Sequence, residues 1–94
     1  MAKWLVERRL VGVGQRLRSL RDELSVIDEQ LAQLADAAGD ARIRSLVSET
    51  PLADREHHDA QRHADAMAAR RTEVVAAIAT LEARQDALLD ELTA

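Results

Sequence analysis

Residues 6–38 read VERRLVGVGQRLRSLRDELSVIDEQLAQLADAA, and this stretch decides the fold. Its apolar side chains recur in alternating steps of four and three residues, which average about 3.5 residues. That spacing is typical of a coiled-coil seam, because it keeps one narrow apolar stripe facing a partner helix. The stripe consists of Val6, Leu10, Val13, Leu17, Leu20, Leu24, Ile27, Leu31, Leu34 and Ala38.

A second helix is predicted over 51–93. Thr50 is a favourable N-cap residue, and Pro51 at the first helical position gives up no hydrogen bond there. Two rows of this helix repeat the same spacing, but the N-terminal half is poor in large apolar side chains and is interrupted by His57 and Arg71. The rows are Ala53, Ala60, Met67, Val74, Leu81 and Leu88, and His57, Ala64, Arg71, Ile78, Gln85 and Leu92.

The connection between the helices is predicted from its glycine. Gly39 follows the last seam residue and is typical of a helix C-terminus, so the first helix is expected over 3–38. Asp40 then caps a short helix over 41–47. Its apolar residues Ile43, Leu46 and Val47 are expected to pack across the tip of the hairpin, since a long structureless loop is unusual in a small domain.

The fold class predicted is therefore all-α: one domain over 1–94, an antiparallel two-helix coiled-coil hairpin with a short connecting helix. The short connection favours the antiparallel arrangement, as does the charge, because the basic segment 3–21 then lies beside the acidic segment 82–91. Two registers stay open, with Leu10 opposite either Leu88 or, one heptad away, Leu81. The first is preferred because it also places Val6 against Leu92.

One seam provides little core for 94 residues, so the hairpin is expected to dimerise into a four-helix bundle or to bind another protein. The chain contains no cysteine, which excludes disulfides and thiolate metal sites and is compatible with the cytoplasm. No membrane partner is expected, because no apolar run of about 18 residues occurs. The first residues do not form the apolar core of a signal peptide, since Glu7, Arg8 and Arg9 interrupt them.

Gly12 and Gly14 mark the weakest turn of the first helix, because each glycine costs roughly 1 kcal/mol in a helix interior. They indicate tolerated softness, the close approach of a small neighbouring residue, or a hinge or docking notch. All three interpretations remain open at this stage.

Three histidines are the candidates for metal chemistry. Asp54 with His58, and Asp59 with His63, are four residues apart and therefore share a helix face. The preferred interpretation is a solvated, salt-bridged turn, and a zinc or nickel site shared between chains is the alternative. No serine has a glycine-rich elbow or a neighbouring histidine, and no phosphate-binding loop occurs. The sequence therefore predicts no enzymatic activity and no cofactor.

The candidate partner-binding residues lie off the seam. They are Arg8, Val11 and Arg18 on the outer face of the first helix, and Val75 and Leu89 on the second. An arginine-rich start suggests binding of nucleic acid along its backbone. Neutralisation of the acidic second helix is the preferred explanation of these arginines.

Two segments of the sequence resemble those of small actinobacterial helical-hairpin proteins. They are Glu7-Arg8-Arg9-Leu10-Val11-Gly12-Val13 and Val47-Ser48-Glu49-Thr50-Pro51-Leu52. The resemblance implies a helical hairpin and transfers no functional residue. The architecture also looks like that of actinobacterial anti-sigma factors that bind a cyclic dinucleotide. Their series of Glu, Ser, Arg, Gln and Asp along one helix face is missing here.

The function predicted is that of a non-enzymatic protein–protein interaction or scaffolding module built on an antiparallel coiled coil. The partner is another protein or a second copy of the chain. The alternative is a transcription-associated regulator that binds nucleic acid or a transcription factor through the N-terminal arginines.

Overall fold

The computed structural model describes residues 2–94, and these residues form two helices and no strand. Helix α1 spans Lys3–Ser48 and helix α2 spans Pro51–Thr93. Only Glu49 and Thr50 connect them. The predicted all-α antiparallel hairpin is confirmed, and α2 has the predicted bounds of 51–93.

The first helix is longer than its sequence indicated. The predicted helices 3–38 and 41–47 are one continuous helix with Gly39 inside it, so the prediction of a separate connecting helix is wrong. No glycine among the described residues has the positive φ of a C-terminal cap. The helix continues because its seam continues: Ala38 is 5% exposed and Ala41 is 2% exposed. Their burial and the unbroken backbone hydrogen bonds outweigh a glycine cost of about 1 kcal/mol.

The turn between the helices is fixed by capping interactions. Glu49 has a φ of 51°, and its amide donates to the carbonyl oxygen of Ser45 at 3.1 Å. This is the left-handed C-terminal cap that glycine usually provides. The hydroxyl of Thr50 accepts a hydrogen bond from the amide of Ala53 at 3.2 Å. Thr50 is therefore the N-cap of α2, as its sequence predicts.

The described residues pack as two compact units. The first unit contains residues 2–24 and 73–94. Its core brings the start of α1 onto the end of α2 in the preferred register, because a slip of one heptad would place Leu88 opposite Lys3, away from Val13 and Leu17 with which it packs. Arg21 and Glu82 form an ion pair across the helices at 3.5 Å. The core cluster contains Val6, Val13, Leu17 and Leu88, with Leu10, Ile78, Leu81 and Leu92 partly buried against it.

The second unit contains residues 25–72 and has a core of smaller side chains. Its buried residues are Ile27 and four alanines, at positions 38, 41, 53 and 64. The methyl group of alanine buries less apolar area than a branched side chain does. Each buried alanine of this seam therefore contributes less to the free energy of folding. Arg71 occupies a seam row but is exposed, and its Nε donates to Asp28 at 2.6 Å.

The two N-terminal glycines lie within regular helix. A Cβ built on either Gly12 or Gly14 would meet no atom within 4 Å. The interpretation that a small neighbour approaches them closely is therefore wrong. The open surroundings of both glycines agree with a locally weak helix that the fold tolerates. A hinge or docking notch at these residues stays a prediction.

The continuity of α1 predicts the effect of two substitutions on stability. Gly39→Ala should raise the free energy of unfolding by about 0.5–1 kcal/mol, because Gly39 is helical and a Cβ meets nothing within 4 Å. Glu49→Gly should also stabilise, by about 1 kcal/mol, because it relieves a left-handed backbone. Urea denaturation monitored by circular dichroism, at a protein concentration at which the chain is monomeric, measures both. Gly12→Ala is the matched helical control, and a helix that ended at Gly39 would instead be destabilised by the alanine.

Candidate functional site

Large apolar side chains are exposed on both sides of the turn that connects the helices. Ile43 is 61% exposed, Leu46 67%, Val47 80% and Leu52 58%. We call these four residues the turn patch. They account for four of the five large apolar side chains that are exposed in the second unit, the fifth being Val26. The patch is therefore concentrated within ten residues of sequence.

The three α1 residues of the turn patch are exposed because none of them stands at a seam position. After Ala38 the seam continues in steps of three and four to Ala41 and Ser45, which are buried and half-buried. Ile43 falls between those two positions, and Leu46 and Val47 follow Ser45. All three are exposed and lie off the seam. The expectation that they pack across the hairpin tip is therefore wrong, and the helix carries them outward instead.

Both flanks of the turn patch are held in place by hydrogen bonds. The hydroxyl of Ser45 donates to the carboxylate of Asp54, which ties the last turn of α1 to the first turn of α2. The caps at Glu49 and Thr50 fix the two residues between. Side chains on capped helices are positioned more accurately than side chains on a flexible loop. The patch is thus a preformed surface.

The partner-binding residues predicted from sequence are exposed, but they belong to the first unit. Val11 is 61% exposed, Val75 40% and Leu89 44%. Arg8 and Arg18 are exposed as well. Trp4, 64% exposed, lies on the same helical line as Val11 and Arg18, since the three are seven residues apart. These residues remain predicted contact points.

The predicted metal ligands are not gathered into a site. Among residues 2–94 no group of three histidine, aspartate or glutamate side chains is placed to hold a metal ion. Asp59 pairs instead with Arg62, and Asp54 accepts the hydrogen bond from Ser45. His58 and His63 are exposed, and the ring of His58 stacks on that of His57 with centroids 5.7 Å apart.

The arginine-rich start of α1 is divided between paired and unpaired side chains. Arg21 pairs with Glu82, which agrees with neutralisation of the acidic second helix. Arg8, Arg16 and Arg18 are exposed and make no ion pair within the described chain. They present positive charge on the outer face of the first unit.

The fold and the turn patch together define an all-α helical hairpin with an exposed apolar surface at its turn. No family model, curated protein or solved structure matches the chain. Neither helix, over the part of the chain that the structure describes, is long and apolar enough to cross a membrane.

The exposure of the turn patch predicts that it contributes little to folding. Leu46→Ala should change the free energy of unfolding by no more than about 0.5 kcal/mol, because its side chain is mostly in water. Leu17→Ala is the matched control at a seam position that is 1% exposed, and it should cost about 2–5 kcal/mol. Chemical denaturation of both variants, at a protein concentration at which the chain is monomeric, makes the comparison. A large loss on truncating Leu46 would show that the patch is part of a core.

Proposed function

We propose that this protein is a non-enzymatic protein–protein interaction or scaffolding module, with the turn patch as its docking surface. One observation carries the proposal: four large apolar side chains, each more than half exposed, surround a turn that is capped on both sides. Contiguous exposed apolar surface on a folded protein is characteristic of sites that bind other proteins.

The total exposed area supports the same proposal. The chain exposes 6758 Å², whereas a globular protein of this mass exposes roughly 5,400 Å². The second unit, which carries the turn patch, also has the smaller buried side chains. Its large apolar residues are thus mostly outside its own core, where a partner's contact would remove them from water at a gain of roughly 25 cal/mol per Å².

The surroundings of the turn patch resemble the rim of a protein interface. Exposed charges of both signs flank the apolar residues along the chain, namely Asp40, Arg42, Arg44, Glu49 and Asp54. An apolar centre with a polar rim is the usual anatomy of a protein–protein contact. The mixed charge favours a partner with charges of both signs over a uniformly charged polymer.

Photo-crosslinking in the native host tests the docking surface. A photoreactive amino acid at Val47 should crosslink a protein partner, because this side chain is 80% exposed, the most of the four in the turn patch. Val26 is the matched control: it is also a valine, is 53% exposed, and lies on the same helical line of α1. The same substitution at Val26 should give no crosslink to that partner. Equal crosslinking at the two positions, or none at Val47, would contradict the proposal.

A second candidate function is that of a transcription-associated regulator which binds nucleic acid or a transcription factor through the N-terminal arginines. It is favoured by the exposure of Arg8, Arg16 and Arg18 without ion pairs. Binding to phosphates by these side chains would weaken steeply as salt rises. Fluorescence anisotropy with duplex DNA should then show binding at about 50 mM salt that is lost in an Arg8→Glu, Arg18→Glu variant. Wild-type protein that leaves the anisotropy unchanged would exclude the nucleic-acid form of this candidate.

A further inference from the structure

One exposed face of α1 is arranged symmetrically around Gly39. Residues three, four and seven positions away in either direction lie on the same side of a helix. All of these positions are exposed here. The face consists of Ala32, Ala35, Asp36, Gly39, Arg42, Ile43 and Leu46.

An open groove runs along this face. It is lined by Ala35, Asp36, Gly39, Asp40, Arg42, Ile43 and Leu46. Gly39 contributes no side chain to the groove, and a Cβ added there would meet no atom within 4 Å. Another helix can therefore approach the α1 backbone closely at this residue.

The two halves of the face are complementary in size. On the N-terminal side, the positions four and seven residues from Gly39 are Ala35 and Ala32. On the C-terminal side, the equivalent positions are Ile43 and Leu46, which are 61% and 67% exposed. Small side chains on one half thus correspond to large apolar side chains on the other.

The two halves are also complementary in charge. Three residues before Gly39 stands Asp36, and three residues after it stands Arg42. Neither side chain has an ion pair or a hydrogen bond to another side chain among residues 2–94, which the structure describes. Each is therefore available to a partner of opposite charge.

We propose that this face binds a second copy of the same chain, with the two α1 helices crossing antiparallel at Gly39 on a two-fold axis. This inference rests on the proposed function and names the partner of the Ile43 and Leu46 part of the turn patch. A two-fold axis beside residue 39 sets each position of one copy at the level of the position that lies equally far on the other side of residue 39 in the second copy.

The axis brings every pair on the face into a favourable contact. Ile43 of one copy meets Ala35 of the other, and Leu46 meets Ala32, so each large side chain is received by a small one. Asp36 meets Arg42 twice, once on each side of the axis. A partner helix without this sequence would have to provide small residues, an acid, a base and large apolar residues in the same order. The second copy provides that order by symmetry.

Single cysteines test the position of the axis, because the natural chain has none. Under mild oxidation Gly39→Cys should form a disulfide-linked dimer, since the axis places the two residues side by side. Ser25→Cys is the matched control on the same helical line. Its distance of 14 residues from the axis separates the two copies of this position by about 40 Å. Crosslinking of Gly39→Cys that is no faster than that of Ser25→Cys would overturn the proposal.

A charge exchange tests the pairing itself. Asp36→Arg and Arg42→Asp should each weaken the dimer at least tenfold in sedimentation equilibrium, because each creates two like-charge contacts. The double variant should recover the wild-type dissociation constant to within about threefold, since it restores both pairs. Asp22→Arg, an exposed acid two heptads before Asp36, should leave dimerisation unchanged. Circular dichroism checks that each variant remains helical.

The outcomes separate this inference from the proposed function. A wild-type protein that stays monomeric at millimolar concentration overturns the inference, as does a dimer that is insensitive to both single reversals. In either case a position-specific crosslink from Val47 to a different protein would leave the docking function standing. Loss of both the dimer and the Val47 crosslink would remove the two together.

Discussion

The structure depends on one apolar seam that repeats every three and four residues along α1. A stripe this narrow is buried only if a second helix lies against it for its whole length. Helix α2 meets that requirement because it starts two residues after α1 ends and returns beside it. The seam runs from Val6 through Ala38 and Ala41 to the half-buried Ser45. It therefore carries α1 past Gly39 as far as the caps at Glu49 and Thr50.

The side chains that fill the seam differ between the two compact units. The first unit is packed by leucine and valine, including Leu17, Val74 and Leu88, whereas the second relies largely on alanine. Five large apolar residues of the second unit lie at positions that the seam does not reach, namely Val26, Ile43, Leu46, Val47 and Leu52. The same periodicity that buries one stripe therefore exposes Ile43, Leu46 and Val47, which connects the fold directly to the candidate docking surface.

Much of the fold could be predicted from the sequence because coiled-coil spacing and helix caps are local signals. All ten predicted seam positions of α1 are buried or half-buried, and Thr50 caps α2 as expected. The helix end predicted at Gly39 is wrong because the residues that continue the seam, Ala41 and Ser45, are small and give only a weak apolar signal in the sequence. The left-handed backbone at Glu49 has no sequence signal of its own. The turn patch could have been found by extending the same three-and-four spacing past Gly39.

The measurement that tests this account most directly is the backbone NMR assignment of residues 36–50. The account predicts helical Cα chemical shifts without interruption from Asp36 through Ser48, slow amide exchange across Gly39, and a reversal of the shift at Glu49. A break in helical shifts at Gly39, with contacts from Ile43 or Leu46 to the seam, would contradict it. Such a result would return the turn patch to the core and leave no exposed apolar surface at the turn.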